Sequence, residues 1–311
     1  MNKLKIPKLY QGVIVSNLFA MLVIGINKYI DVNYIFYKSP GADEFLILSN
    51  FILIPIVMGI ICSRFWRDLE MKNAIYIGNS VLTGFIAIIF SYIFLNEGSI
   101  CLIIVSPLVF GFIVTGVFIG KAMFRKKNNT LNVSVILLIA ILYTVDTLTG
   151  RPYDEQVTDT MLIHASPAEV WKHVAAFDPI TEPNHYFLFK LGMPSPMQST
   201  VDGYYEGAHR KCIFSNGYVF DETMTTFKPG ENLTFDITNQ PRDPEIMGHI
   251  DILRGQFLLH DNGDGTTTLT GNSWYRLYVA PAWYYNLWAQ SITSNVHIRA
   301  MQHIKQLSEA K

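Results

Sequence analysis

The chain is 311 residues long, 50% hydrophobic and 16% charged, with a formal net charge of −1. That length accommodates two domains of ordinary size, and the balanced charge excludes nucleic acid as a partner, which would demand a basic face. Cys62, Cys101 and Cys212 show no CxxC spacing, so they read as small buried hydrophobes and imply neither a disulfide framework nor zinc.

Residues 1–148 are dominated by Ile, Leu, Val, Phe and Gly, whereas the remainder alternates apolar with polar residues and holds all eight histidines. Five apolar stretches, 9–26, 45–62, 74–95, 100–120 and 131–148, reach the roughly 17 to 25 residues a helix needs to cross the hydrocarbon core. The first domain, 1–148, is therefore expected to be an all-α transmembrane bundle of about five helices, a multi-pass anchor in the lipid bilayer. Lys3, Lys5 and Lys8, then Arg64, Arg67 and Lys72, then Lys121, Arg125, Lys126 and Lys127 fall on one side of such a bundle. The opposite loops hold only Lys28 and Lys38. The positive-inside rule puts the N-terminus in the cytoplasm, and an odd number of spans puts the C-terminal domain on the extracytoplasmic side of the cell membrane. No small-residue cleavage site follows the basic N-terminus, so an uncleaved first span is expected. Pro55 and Pro107 lie within spans, and Gly116 with Gly120 forms a GxxxG suited to helix packing or to a homo-oligomer seam. No span carries a central charge, so an ion-coupled transporter lacks its usual groups.

Residues 149–156, TGRPYDEQ, combine Gly, Pro and charge and read as a linker. The second domain, 157–311, opens on a strand at 157–163. Ser166, Pro167 and Glu169 then form an S-x-x-E capping box before Val170, Trp171, Val174 and Phe177, which predicts an amphipathic helix. The proline-rich stretch 178–196 argues for a short helix or loop. Strand patterns follow at 209–215, 218–227, 233–238, 249–260 and 266–278, separated by turns at Asn216-Gly217, Lys228-Pro229-Gly230, 241–244 and 261–265. Pro281 opens a long closing helix over 282–307, with Leu287, Ser291, Ser294, Ile298, Met301 and Ile304 at three- and four-residue spacing. The order strand, helix, five strands, long helix excludes a doubly wound parallel sheet and suits an α+β domain, a curved antiparallel sheet around a terminal helix.

The run ASPAEVWKHVAAF after a strand, the GxxR-like Gly207 to Arg210, the Glu222 strand ending in Lys228-Pro229-Gly230, the DNGDGTTTLT hairpin and the long final helix together resemble the START-like (SRPBCC) superfamily. That group includes polyketide cyclase/dehydrase and lipid-transport proteins with the helix-grip fold. The resemblance covers about 155–311 and none of the first half. It implies an apolar cavity between sheet and closing helix that holds a lipid, a polyketide or another hydrophobic molecule. No shared catalytic motif carries over, and no cofactor is implied.

Such a cavity takes its specificity from a few polar or aromatic groups. Tyr218, Phe220, Glu222 and Met224 share a strand face by period two, so Glu222 is a candidate buried acid or base, or else the structural partner of Arg210 or Arg254. His249 and Asp251 also share a face, but without a third ligand no metal is expected. The Asp-rich turn at 261–265 lacks the calcium-loop register. Trp274, Arg276 and Tyr278 share a face of the last strand, followed by Trp283, Tyr284, Tyr285 and Trp288, a cluster that would line the cavity mouth, pack in the core or rest on lipid headgroups. His297 and His303 read as partly exposed, and Cys212 has no activating partner. The leading expectation is a membrane-anchored domain that binds a hydrophobic small molecule or lipid. The alternatives are a cyclase- or dehydratase-like enzyme using Glu222, His249 or Asp251, and a sensory or structural protein with a protein partner.

Overall fold

The computed structural model describes residues 7–29, 49–69, 71–95, 98–125, 152–241, 249–279 and 281–310. The chain divides into two compact units, Met1–Arg151 and Pro152–Lys311.

The first unit is helical: α1 (Lys8–Tyr29), a π-helical turn (Ser49–Leu53) running into α2 (Ile54–Trp66), α3 (Asn73–Leu95) and α4 (Ser99–Arg125). Three of these are long and apolar enough to cross a membrane, over Lys8–Gly25, Asn73–Phe94 and Ser99–Phe124, while the apolar helix Phe51–Trp66 is shorter. The first four residues of the expected second span, 45–62, and all of the expected fifth, 131–148, lie outside the described residues. Pro55 lies in the first turn of α2, directly after the π-helical turn that runs into it. The glycines of α4 are used within the chain. A Cβ on Gly116 would collide with Ile56 of α2, one on Gly59 with the backbone of Ile113 and Val117, and one on Gly120 would lie 2.8 Å from Ser63 Cβ. The GxxxG face is therefore packed against α2, the helix-packing use of the motif. Trp66 is fully buried beside it, its indole donating to the Leu9 carbonyl at 2.9 Å. Leu18, Leu22, Phe85, Ile89 and Ile93 point outward.

The second unit is a seven-stranded antiparallel sheet in the order β1-β7-β6-β5-β4-β3-β2. Its strands are β1 (Tyr153–Ile163), β2 (Pro196–Val201), β3 (His209–Phe214), β4 (Val219–Lys228), β5 (Asn232–Asn239), β6 (Ile250–Asp261) and β7 (Thr267–Leu277). Helices α5 (Pro167–Trp171) and α6 (Phe187–Lys190) lie between β1 and β2, and α7 (Ala282–Glu309) closes the chain. Consecutive strands from β2 to β7 pair as a meander; at the tight turns between β3 and β4 and between β4 and β5, Gly217 (φ 85°) and Gly230 (φ 78°) supply the left-handed backbone. β1 then returns to pair along its whole length with β7, from Tyr153↔Leu277 to Ile163↔Thr267.

Local details depart from the sequence pattern in four places. Tyr153 to Gln156 belong to β1 rather than to a linker. Ser166 is the N-cap of α5 by backbone geometry without a side-chain bond, and Glu169 pairs with Lys172, so the helix stops after Trp171. Val174 and Phe177 still enter the core from the irregular segment beyond it. Pro196 opens a strand that the proline-rich pattern hides, tolerated because β2 is an edge. In α7 the buried line runs through Tyr285, Ala289, Thr293, His297, Ala300, Met301 and Ile304, whereas Leu287 is exposed.

Candidate functional site

Helix α7 is gripped from both edges of the sheet. Ser294 Oγ donates to Asp159 Oδ1 on β1 at 2.6 Å, and Arg299 Nε donates to the Pro196 carbonyl on β2 at 3.1 Å. A flat sheet of seven strands could not reach one helix with its two outermost strands, so the sheet is curled around α7. The concave face has two unlike ends. At one, Ile163, Met224, Leu233, Leu269, Met301 and Ile304 are almost completely buried and fill the space between sheet and helix. At the other, Cys212, Phe214, Phe220, Ile237, Ile252 and Ser273 remain half-buried although cross-strand register gives them the same face. There α7 presents Ala289, Thr293 and His297, which are small or polar.

Two polar groupings lie on this face. Arg210 on β3 sits directly opposite Glu222 on β4, and both are buried and ion-paired. Arg210 Nε also donates to the Ala175 carbonyl at 2.9 Å, and its guanidinium lies 4.5 Å over the Phe235 ring. Burial pushes the Glu222 carboxyl up, against the attraction of Arg210. The expected partner is thus Arg210. Arg254 instead pairs with Asp236 at 2.7 Å on the outer face.

The second grouping was not legible in the sequence. Ser273 Oγ on β7 lies 2.7 Å from His297 Nε2, and His297 Nδ1 lies 2.8 Å from Asp159 Oδ2 on β1. His297 is only 6% exposed, and so is His303, whose Nε2 meets the Asp178 carbonyl at 3.1 Å. Both were expected to be partly exposed; α7 instead turns both toward the rest of the domain. Burial acts to raise the Asp159 carboxyl, but the bonds from His297 and Ser294 outweigh it and hold the group below the usual range.

The remaining candidates scatter. Trp274 and Arg276 face away from α7, because Ser273 and Tyr275 take the inward positions; Tyr275 is buried and donates to Asn286 of α7 at 2.6 Å. Arg276 forks onto Asp154 at 2.6 and 2.8 Å on the exposed face. Asp251 shares that outer face, accepting from Gln240 Nε2 and Tyr278 Oη, each at 2.9 Å. The His249 carbonyl accepts from the Tyr278 N–H at the start of β6. Glu222 and Asp251 therefore lie on opposite faces of the sheet. Tyr218 is half-buried in the turn before β4, and Phe220 stacks on Phe214 with ring centres 5.0 Å apart. Trp288 packs near Phe187, whereas Trp283 is 67% exposed. Burial pushes the Cys212 thiol up to about 12, and Glu222 adds to this, so it stays protonated and inert. Among the described residues no three His, Cys, Asp or Glu side chains converge as metal ligands.

No protein-family profile matches the sequence, and no curated protein matches it either. Solved structures do resemble the C-terminal half. Truncated norcoclaurine synthase from Thalictrum flavum is 11% identical, over 52% of this chain and 99% of its own, with a TM-score of 0.37. The Zhui aromatase/cyclase from a Streptomyces species is 11% identical, over 50% and 94%, at 0.35. An uncharacterized protein from Bacillus thuringiensis is 14% identical, over 50% and 100%, at 0.34. The strand order, with β1 returning to β7 and both edges bonded to one C-terminal helix, decides the fold. The C-terminal unit has the helix-grip fold. In this helix-grip domain the closing helix plugs one end of the grip and leaves the other, whose side chains are half-buried, half-open.

Proposed function

We propose that the START-like domain binds an amphipathic small molecule or lipid at the half-open end of its concave face, and that the apolar helices of the first unit hold it at a membrane. The observation that carries this reading is the row of half-buried apolar side chains, Phe214, Phe220, Ile237 and Ile252, on a face whose other end is filled. Apolar surface left partly wet in the middle of a curled sheet is stabilised by covering it, at about 25 cal/mol per Å². An apolar ligand does so, while Ser273, His297 and the Arg210–Glu222 pair offer the few polar groups that orient it. Trp283, Leu287, Phe187 and Leu191 are exposed on α7 and α6, a patch suited to lipid headgroups and acyl chains. The lysine and arginine pattern supports a cytoplasmic N-terminus; the side on which the domain lies depends on whether 131–148 crosses.

The test is native mass spectrometry of the full chain in lipid nanodiscs made from a membrane lipid extract, followed by organic extraction. An apolar molecule of defined mass retained on the wild type and lost from Ile237→Trp, which fills the half-open end, is the expected result. A wild-type chain that emerges empty under gentle conditions would overturn the reading.

A further inference from the structure

We propose that Ser273, His297 and Asp159 form a nucleophilic site that cleaves an ester or thioester of an apolar acyl group lying in the half-open end of the grip; this rests on the binding reading above. The hydrogen-bond polarity follows from elementary chemistry. An ionised carboxylate only accepts, so Asp159 Oδ2 at 2.8 Å requires the proton on His297 Nδ1. In the neutral ring Nε2 is then a lone pair, and it lies 2.7 Å from Ser273 Oγ, whose hydroxyl must donate to it. Serine, imidazole and carboxylate are thus linked in the order and orientation that activate a hydroxyl for acyl transfer. Ser294 Oγ occupies the other Asp159 oxygen at 2.6 Å, which fixes the carboxylate plane. Gly271 lets the helix come close: a Cβ there would lie 3.1 Å from Met301 Sδ and 3.6 Å from His297 Cγ. His297 is buried, Asp159 is partly covered behind it, and Ser273 keeps part of its surface open on the half-open end, which is where a substrate carbonyl would arrive.

The step balances without a cofactor. Ser273 Oγ attacks the acyl carbon while its proton passes to His297 Nε2. The bond to the leaving alkoxide or thiolate breaks, and that group takes the proton from the imidazolium, leaving acyl-Ser273. Water, deprotonated by His297, then releases the carboxylic acid and restores the hydroxyl. Ser273 and His297 are the catalytic residues; Asp159 and Ser294 are positioning residues. If the three bonds only pin α7 to the sheet, Ser273 is an unreactive alcohol.

The experiment treats the full chain in nanodiscs with an alkyl fluorophosphonate and locates the adduct by peptide mass spectrometry, with native mass spectrometry on the same sample. A phosphonyl group on Ser273 is expected, with the labelling rate falling about a hundred-fold or more in His297→Gln. Asp159→Asn is expected to fall comparably and Asp159→Glu to recover part of the rate, which a purely structural carboxylate would not produce. Two outcomes overturn the proposal: no Ser273 adduct on wild type, or an adduct formed equally fast in His297→Gln. Wild type that keeps its lipid yet gives no adduct overturns the catalytic proposal alone. Wild type that shows neither overturns the binding reading with it.

Discussion

The two ends of the concave face are made from the same strands and the same helix, yet they have opposite characters. At the closed end α7 contributes Ala300, Met301 and Ile304, and these meet Leu233, Leu269 and Ile163 with almost no exposure. At the half-open end it contributes Ala289, Thr293 and His297 to strands that bring Phe220, Ile237 and Ser273. One helix thus closes a fully buried core with its last turns and faces half-buried strand side chains along its middle. Stability and site chemistry are separated along a single element, so substitutions at the two ends have different readouts.

The sharpest break of that comparison comes at the boundary between the ends. Glu222→Ala leaves Arg210 buried without its carboxylate and is expected to cost about 3–5 kcal/mol, read as a lowered thermal transition of the helix-grip domain in the detergent-solubilised chain. Replacing both partners by apolar residues, Arg210→Met with Glu222→Leu, is expected to recover most of that loss. Next in size is Leu269→Ala at the closed end, about 2–5 kcal/mol by the same measurement. Phe220→Ala at the half-open end removes a ring that is already partly wet; it is expected to cost less than Leu269→Ala while weakening lipid retention more. A Phe220→Ala loss as large as that of Leu269→Ala would erase the distinction between the ends.

A smaller effect is set by pH. The folded Asp159 carboxyl lies below its unfolded value of about 3.9. On acidification the unfolded chain therefore takes up this proton first. The contribution of Asp159 is complete above that unfolded value and disappears as pH falls through the folded one. The stability gap between wild type and Asp159→Asn should accordingly narrow in acid unfolding, and a gap that widens would contradict the assignment. Smallest of all, Arg254→Ala removes an exposed pair with Asp236 and is expected to change stability by about 0–1 kcal/mol.

Strand and helix identities were readable because turn residues punctuate the sheet and α7 runs unbroken for many turns. Which face each residue takes was less readable, and β6 shows why. Its register shifts between Ile252 and Arg254, so Ile252 opposes the inward Tyr275 while Arg254 opposes the outward Trp274. A strict period of two cannot be carried across that bulge, and Asp251 was grouped for chemistry on a face that points outward. On β7 the bulky Trp274 and Arg276 drew attention, whereas the inward positions belong to Ser273 and Tyr275. His297 reads as partly exposed because the stripe drawn through Ser294 and Ile298 runs one residue off the buried line through Thr293 and His297. Its one signal was spacing, four residues after Thr293 and four before Met301. Asp159 and Ser273 had no local signal, since only the pairing of β1 with β7 brings them near that histidine.

The same pairing sets when the domain can be completed. Tyr153 to Ile163 leave the ribosome before β2 to β6 are made, whereas their partners, Thr267 to Leu277, follow only after those strands. At synthesis rates of about 5–20 residues per second, β1 waits on the order of ten seconds for its neighbour. It waits as an amphipathic strand whose outward positions include Asp154, Gln156 and Thr158. Such an edge resists pairing with the wrong chain, so the polar residues of β1 protect the nascent chain before they serve the finished sheet.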